Sequence, residues 1–212
     1  MKYKVTFLLD KTNLWFERKL KNHDFNLKDK YIFKTTKSED KITNQDIVIP
    51  ISYGKKLSNE FLNKNGLTLI AHAGKLPKDK GFAPMQNQIL RNSNKIYISL
   101  IRAIQEIDKG PIFFQDSFTL KGTELYNEIR QIQGDQILKI IKKFLIKYPN
   151  VKSYNQKGRG NFNKRRYPKD SELNINKTIK QQFNLLRISD NEKFPSFFYI
   201  KGKKYILKIY ES

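Results

Sequence analysis

Short apolar runs of strand length recur through the first half of this chain, and the stretches between them can form helices. Lys4-Val5-Thr6-Phe7-Leu8-Leu9 is the first run, and Trp15 to Lys21 follows as a short helix. Tyr31-Ile32-Phe33 and Ile47-Val48-Ile49-Pro50-Ile51 are further strands; Leu57 to Asn63 has helical character, with Gly66 as its stop. Strands that alternate with helices close into a parallel sheet with crossover connections, so the pattern predicts an α/β fold with a mostly parallel sheet and flanking helices.

The pattern continues with Leu67-Thr68-Leu69-Ile70-Ala71, which delivers His72, and with a helix opened by Pro84 and running to Leu90. Strands follow at Ile96 to Ile101 and Ile112 to Phe118. Gly122-Thr123-Glu124 then opens the longest helix, whose apolar positions Ile129, Ile132, Ile137, Ile140, Ile141 and Leu145 recur at three- and four-residue steps. Gly134 weakens it by roughly 1 kcal/mol relative to Ala. Asn150 to Asp170 is rich in Gly, Asn, Lys and Arg and reads as a solvated connector. A helix near Ile175 to Ile188 and a hairpin turning at Lys201-Gly202 complete the chain. The expected division is a main domain at 1–150, a basic connector at 151–170, and a C-terminal helix with a β-hairpin at 171–212.

With 15 Phe and 11 Tyr in 212 residues the chain can build a substantial core. The sequence has no long apolar run and no cleavable apolar N-terminus, which predicts a soluble, cytoplasmic protein without membrane insertion. The absence of cysteine removes disulfides, thiolate metal sites and a cysteine nucleophile. The net charge of +22 would attract anions, nucleic acid among them. The excess is mostly Lys, scattered along the whole chain among Asn and Ile, which reads as a compositional bias and selects no nucleic-acid partner. A small polyanionic substrate would benefit from the same field.

His72 ends a buried strand, where open α/β sheets place their ligands. The loop after it contains Leu76-Pro77 and Gly81-Phe82-Ala83-Pro84, residues that fix a particular backbone path. Asp108 ends another apolar segment at the Lys109-Gly110 turn, so its carboxylate could reach the same edge as His72 and form an acid/base pair. With only two histidines, widely separated, no metal site is expected. Gly158-Arg-Gly160 lacks the third glycine and the preceding strand of a dinucleotide fingerprint, and Arg165-Arg166 reads as a solvated run.

The segment His72-Ala-Gly-Lys-Leu76-Pro77-Lys-Asp-Lys80-Gly81 resembles the His-x-Ser-x-Leu-Pro-x-x-Arg-Gly signature of the tetrahydrofolate-dependent formyltransferases. Gly81-Phe-Ala83-Pro84-Met-Gln86 and Ile107-Asp108-Lys-Gly110-Pro111-Ile112 are similar to that superfamily's Gly-x-Ala-Pro-Ile-Gln and Leu-Asp-x-Gly-Pro/Asp-Ile segments. The likeness implies a Rossmann-like fold, N10-formyltetrahydrofolate as co-substrate without a metal, and His72 and Asp108 as catalytic residues. It further implies folate contacts at Tyr53, Lys55, Leu57, Ala103 and Gln105. The departures are Ile70 where the family has Asn, Gly74 for Ser, and Lys80 for Arg. The family's Asn is held to steady the formyl oxygen as it gains charge; Gln86, Asn87 or a protonated His72 are candidate replacements.

Within the superfamily, the residues after Asp170 accommodate one helix and one hairpin and no barrel, and Asp10-Lys-Thr-Asn offers no Gly-rich phosphate loop. That combination is similar to the sugar N-formyltransferases of surface-polysaccharide (O-antigen) pathways. The acceptor implied is a nucleotide-linked amino sugar such as a dTDP-4-amino-4,6-dideoxyhexose, with a homodimer as a candidate assembly. Arg187 and Asn191 are candidate sugar contacts; a helix end and a polar turn are the alternative reading of the same residues. A tRNA-directed formyltransferase and a catalytically weak folate-binding protein are the rival functions.

Overall fold

The computed structural model describes residues 1–11 and 14–212, so Thr12 and Asn13 of the Asp10-to-Asn13 segment lie outside the described residues. The elements of the first half are β1 (Tyr3–Leu9), α1 (Leu14–Lys21), β2 (Tyr31–Thr36), β3 (Ile47–Ile51), α2 (Asn59–Asn63) and β4 (Leu67–His72). Then come β5 (Lys80–Gly81), α3 (Pro84–Leu90), β6 (Lys95–Arg102), β7 (Ile112–Thr119) and α4 (Tyr126–Lys147). The chain finishes with β8 (Phe162–Asn163), α5 (Ile179–Arg187), β9 (Ser196–Ile200) and β10 (Lys203–Leu207).

The six-stranded sheet has the order β2-β1-β3-β4-β6-β7. β2, β1, β3 and β4 are parallel to their neighbours, and β6 and β7 extend the sheet antiparallel. The ladder between β3 and β4 contains Ile47–Leu67 and Val48–Thr68 and stops there. The carboxyl halves of these two central strands are therefore not bonded to each other, and β4 instead pairs His72 with Ser99 of β6. A break of this kind at the carboxyl ends of parallel strands is where α/β sheets hold ligands.

Successive strand residues face opposite sides, and both sides are apolar here. Val5, Phe7, Leu9, Ile47, Ile49 and Leu69 pack with Phe16 and Leu20 of α1 and with Ile137, Ile141, Phe144 and Leu145 of α4. Leu8 and Val48 join Ile42, Leu57 and Phe61 in a second cluster with α2. Met85 and Ile89 of α3 pack with Ile96, Ile129 and Ile188. Each such side chain contributes about 1.5–3 kcal/mol when fully buried.

α4 begins at Tyr126, later than the Gly122-Thr123-Glu124 sequence suggests. Glu124 instead closes a turn, its carboxylate accepting from the amides of Lys121 (2.6 Å) and Gly122 (2.9 Å), with Gly122 at φ +101°. α5 starts at Ile179 because Thr178 and Gln181 form a capping box, Gln181 N donating to Thr178 Oγ1 at 3.2 Å and Thr178 N to Gln181 Oε1 at 2.9 Å. Lys201 (φ +48°) and Gly202 (φ +76°) form the expected tight hairpin turn between β9 and β10.

The stretch 151–170 is not a free solvated connector. Tyr154 exchanges two backbone hydrogen bonds with Ile112 of β7 (2.8 and 2.9 Å), and β8 pairs with β5. Its polar composition serves hydrogen bonds to loops rather than solvent alone. Among the described residues, no helix is long and apolar enough to cross a membrane.

Gly134 is buried in α4 under the crossing of α1. A Cβ there would lie 2.6 Å from Lys19 Cδ and 3.1 Å from Trp15 Cζ3. The helix-weakening glycine is thus a packing requirement. Gly134→Leu should force the two helices apart and lower stability by about 1–3 kcal/mol, read from the urea midpoint.

Candidate active site

His72 is the last residue of β4 and is 7% exposed. The loop after it is pinned at successive carbonyls. Gln88 Nε2 donates to Ala73 O (2.8 Å), Ser99 Oγ to Gly74 O (2.7 Å), and Gln115 Nε2 to Leu76 O (3.0 Å). The loop returns so that the carbonyl oxygen of Asp79 lies 2.6 Å from His72 Nε2. Asp79 has φ +62°, an ion pair to Arg91, and a backbone amide that donates to Asn161 Oδ1 at 2.9 Å. A side chain at Gly74 would come within 2.9 Å of both His72 Cδ2 and the Asp79 carbonyl. Glycine in place of the superfamily's serine leaves the room for this return.

Asp108 lies in the 103–111 loop, which is folded back against the sheet. Ala103 N donates to Thr68 O (2.8 Å) and Arg102 N to Pro111 O (2.9 Å). Gly110 is obligatory there, because a Cβ would lie 1.7 Å from Arg102 O. Asp108 Oδ1 is 3.5 Å from His72 Nδ1, and Oδ2 accepts from Gly81 N at 2.8 Å. The two residues read from the sequence as a pair are brought together.

The partners determine the proton inventory. A carbonyl can only accept, so His72 Nε2 carries a proton and donates it to Asp79 O. Nδ1 is then the nitrogen that faces the Asp108 carboxylate, at 3.5 Å.

The supporting candidates fare unequally. Ile70 shares the face of β4 with His72 and packs among Leu76, Ile101 and Ile112, so hydrocarbon fills the place of the superfamily's Asn. The Asn87 amide nitrogen is committed to its own helix start, donating to Phe82 O (3.1 Å) and Ala83 O (2.9 Å). Gln86 is half-buried in the first turn of α3. Tyr53 and Lys55 follow the carboxyl end of β3. The Tyr53 hydroxyl donates to Glu39, and burial together with that carboxylate pushes the phenol above its usual range. Lys55 and Gln105 are exposed. Leu57 has its side chain buried with Leu8, Ile42, Val48 and Phe61. Ala103 has its amide committed to Thr68.

Of the candidate sugar contacts, Arg187 is 1% exposed; its Nε donates to Asn184 Oδ1 (2.8 Å), its Nη2 to Asn94 Oδ1 (2.9 Å), and its Nη1 lies 3.5 Å from Glu124 Oε2. Asn191 clamps the backbone of Ile209 through both amide atoms, at 2.7 and 3.3 Å. Both side chains are engaged within the protein at a helix end and a polar turn. Sequence reasoning missed Asp79, Arg91, Gln156 and Asn161, whose residue types carry no motif.

A histidine and a carboxylate thus meet at the broken carboxyl edge of a mostly parallel α/β sheet. The formyl transferase family model matches residues 16–141, and the chain belongs to that family. The chain is 29% identical over 174 residues to the methionyl-tRNA formyltransferase of Fusobacterium nucleatum, covering 79% of this chain and 54% of that protein. It therefore spans about half the length of that curated relative. The methionyl-tRNA formyltransferase structure from Clostridium thermocellum superposes with a TM-score of 0.81 at 21% identity, covering 98% of this chain and 92% of that one. A sugar N-formyltransferase from a Shewanella species gives a TM-score of 0.72 at 17% identity, covering 98% and 97%. Both solved structures share the fold.

The buried Arg187–Glu124 pair generates two expectations. Arg187→Ala leaves Glu124 without its cation and should cost about 3–5 kcal/mol in a denaturant titration. Burial alone would raise the Glu124 carboxyl, but the amides of Lys121 and Gly122 and the charge of Arg187 prevail and hold it below its ordinary 4.5. The folded state thus favours the ionised form, so its stabilisation is present above pH 4.5 and is lost as pH falls toward the folded value. Glu124→Gln should flatten that part of the stability–pH curve.

Proposed function

We propose that this chain transfers a formyl group from N10-formyltetrahydrofolate to the amine of a nucleotide-linked amino sugar, such as a dTDP-4-amino-4,6-dideoxyhexose, for surface polysaccharide. The observation that carries the reading is the His72 Nδ1–Asp108 Oδ1 approach of 3.5 Å at the open edge of the sheet, with the other ring nitrogen already fixed. The folate co-substrate supplies the formyl carbon. As the amine adds to the formyl carbon, His72 Nδ1 accepts the proton it loses; the C–N10 bond then breaks, the same proton passes to N10 and tetrahydrofolate leaves, while Asp108, anchored by Gly81 N, orients the ring and offsets its transient charge. Lys55 and Gln105 are the exposed folate-side candidates. Ile104 and Ile107, exposed on the loop that carries Asp108, offer apolar area suited to a flat ring system. Gln86 is the favoured donor for the formyl oxygen, because Asn87 is committed and Ile70 cannot donate.

The acceptor class is supported by the likeness in fold to the Shewanella sugar enzyme and by a +22 charge that would draw in a diphosphate. A tRNA acceptor is the second reading, favoured by the sequence likeness to methionyl-tRNA formyltransferases and by the same charge. The two separate on salt: neutralising many phosphates makes affinity fall steeply with ionic strength.

With N10-formyltetrahydrofolate and a panel of nucleotide amino sugars, mass spectrometry should show a product heavier by one formyl group. Formylation of charged tRNA alone would reassign the acceptor. His72→Asn and Asp108→Asn should each lower kcat by about 100- to 10,000-fold while leaving the thermal transition in place. Gln86→Ala should lower it by about 100- to 1,000-fold if this residue faces the developing oxyanion; an unchanged rate removes it from the site.

A further inference from the structure

Gln156 stands 48 residues from Asp108 in sequence, in the polar stretch between α4 and β8, and its side-chain amide reaches the catalytic loop. Nε2 donates to Asp108 O at 2.7 Å and to Gly110 O at 2.9 Å, bracketing the Lys109 turn. Both partners are carbonyls, so only the NH2 end of the amide can face them. The backbone of Tyr154, two residues earlier, is bonded to Ile112 of β7, which holds Gln156 against the sheet edge. Asp108 has φ +56°, a left-handed conformation that Asp tolerates better than most residues but that fixed bonds to its carbonyl can hold. The other end of the same amide, Gln156 Oε1, is buried with no hydrogen-bond partner among the described residues. A glutamine kept for packing alone would be expected to satisfy both ends; this one satisfies only the two donations to the loop.

We propose that Gln156 is a positioning residue for catalysis: its paired donation to the Asp108 and Gly110 carbonyls holds Asp108 in the left-handed conformation that aims its carboxylate at His72 Nδ1. The proposal rests on the reading of His72 and Asp108 as the catalytic pair. Asn161, whose Oδ1 accepts from Asp79 N at 2.9 Å, does the matching task on the other side of the ring, so one segment steadies both oxygen partners of His72.

The test uses the full chain with Gln156→Glu, which keeps size but replaces the donors by acceptors, and Gln156→Ala, which adds no charge. Steady-state kinetics should show kcat lowered by about 10- to 100-fold, the scale of a misplaced catalytic group, with both KM values close to wild type. The chain has two histidines, so 15N-imidazole NMR resolves each, and His23, packed edge-on against Phe25, is the internal control. In both variants the His72 Nδ1 signal should move and the His23 signal should stay. Wild-type kcat with an unmoved His72 signal overturns the proposal, and so does a fall in kcat without movement of that signal. If the wild-type chain transfers no formyl group, the functional reading fails, and the His72 signal alone still decides whether Gln156 governs the pair.

Discussion

His72 can offer a free Nδ1 because the carbonyl of Asp79 occupies its other ring nitrogen. Everything near the site serves that one hydrogen bond or the carboxylate opposite it. Gly74 leaves the space for the loop to return, the carbonyls of Ala73, Gly74 and Leu76 are each held by a side chain, and Arg91 and Asn161 fix Asp79 from outside. The ring is thereby given a single tautomer without help from a ligand. That is preorganisation in the ordinary sense: the orientation is set by folding, before any substrate arrives.

The departure at Gly74 is coupled to the anchor of the histidine. Serine at Gly74 would collide with Asp79 as it stands, and the Asp79 carbonyl is what anchors the histidine. The departure at Ile70 is absorbed differently, into an apolar cluster with Leu76, Ile101 and Ile112. The His72–Asp108 pair is present while Ile70, its neighbour on the strand, belongs to the core.

The fold was legible in the sequence where burial alone dictates structure. β3, α3 and the hairpin turn at Lys201-Gly202 follow directly from apolar runs, a first-turn proline and a glycine. The starts of α4 and α5 were not, because Glu124 and Thr178 act through side-chain bonds to backbone amides that no periodicity reveals. His72 and Asp108 were legible through their motif. That Leu57 and Arg187 are buried and Asn191 bonded to Ile209 was not legible, because a motif position or a residue type says nothing about which side of the surface a side chain ends on. Gln156 and Asn161 were hidden in a stretch whose composition resembles solvated linker, since the same amide groups serve water and loop carbonyls equally well.

The stitching of residues 154–163 to the catalytic loops also bears on how the molecule is assembled. Asn161 meets Asp79 across 82 residues and Gln156 meets Asp108 across 48. Closing spans of that length is entropically slow, so such contacts form after local helices and neighbouring strands. A nascent chain emerging as far as α4 already contains His72 and Asp108 yet lacks the segment that bonds their loops. On the proposed function, competence for chemistry would arrive late in folding, with the docking of a stretch that itself performs none.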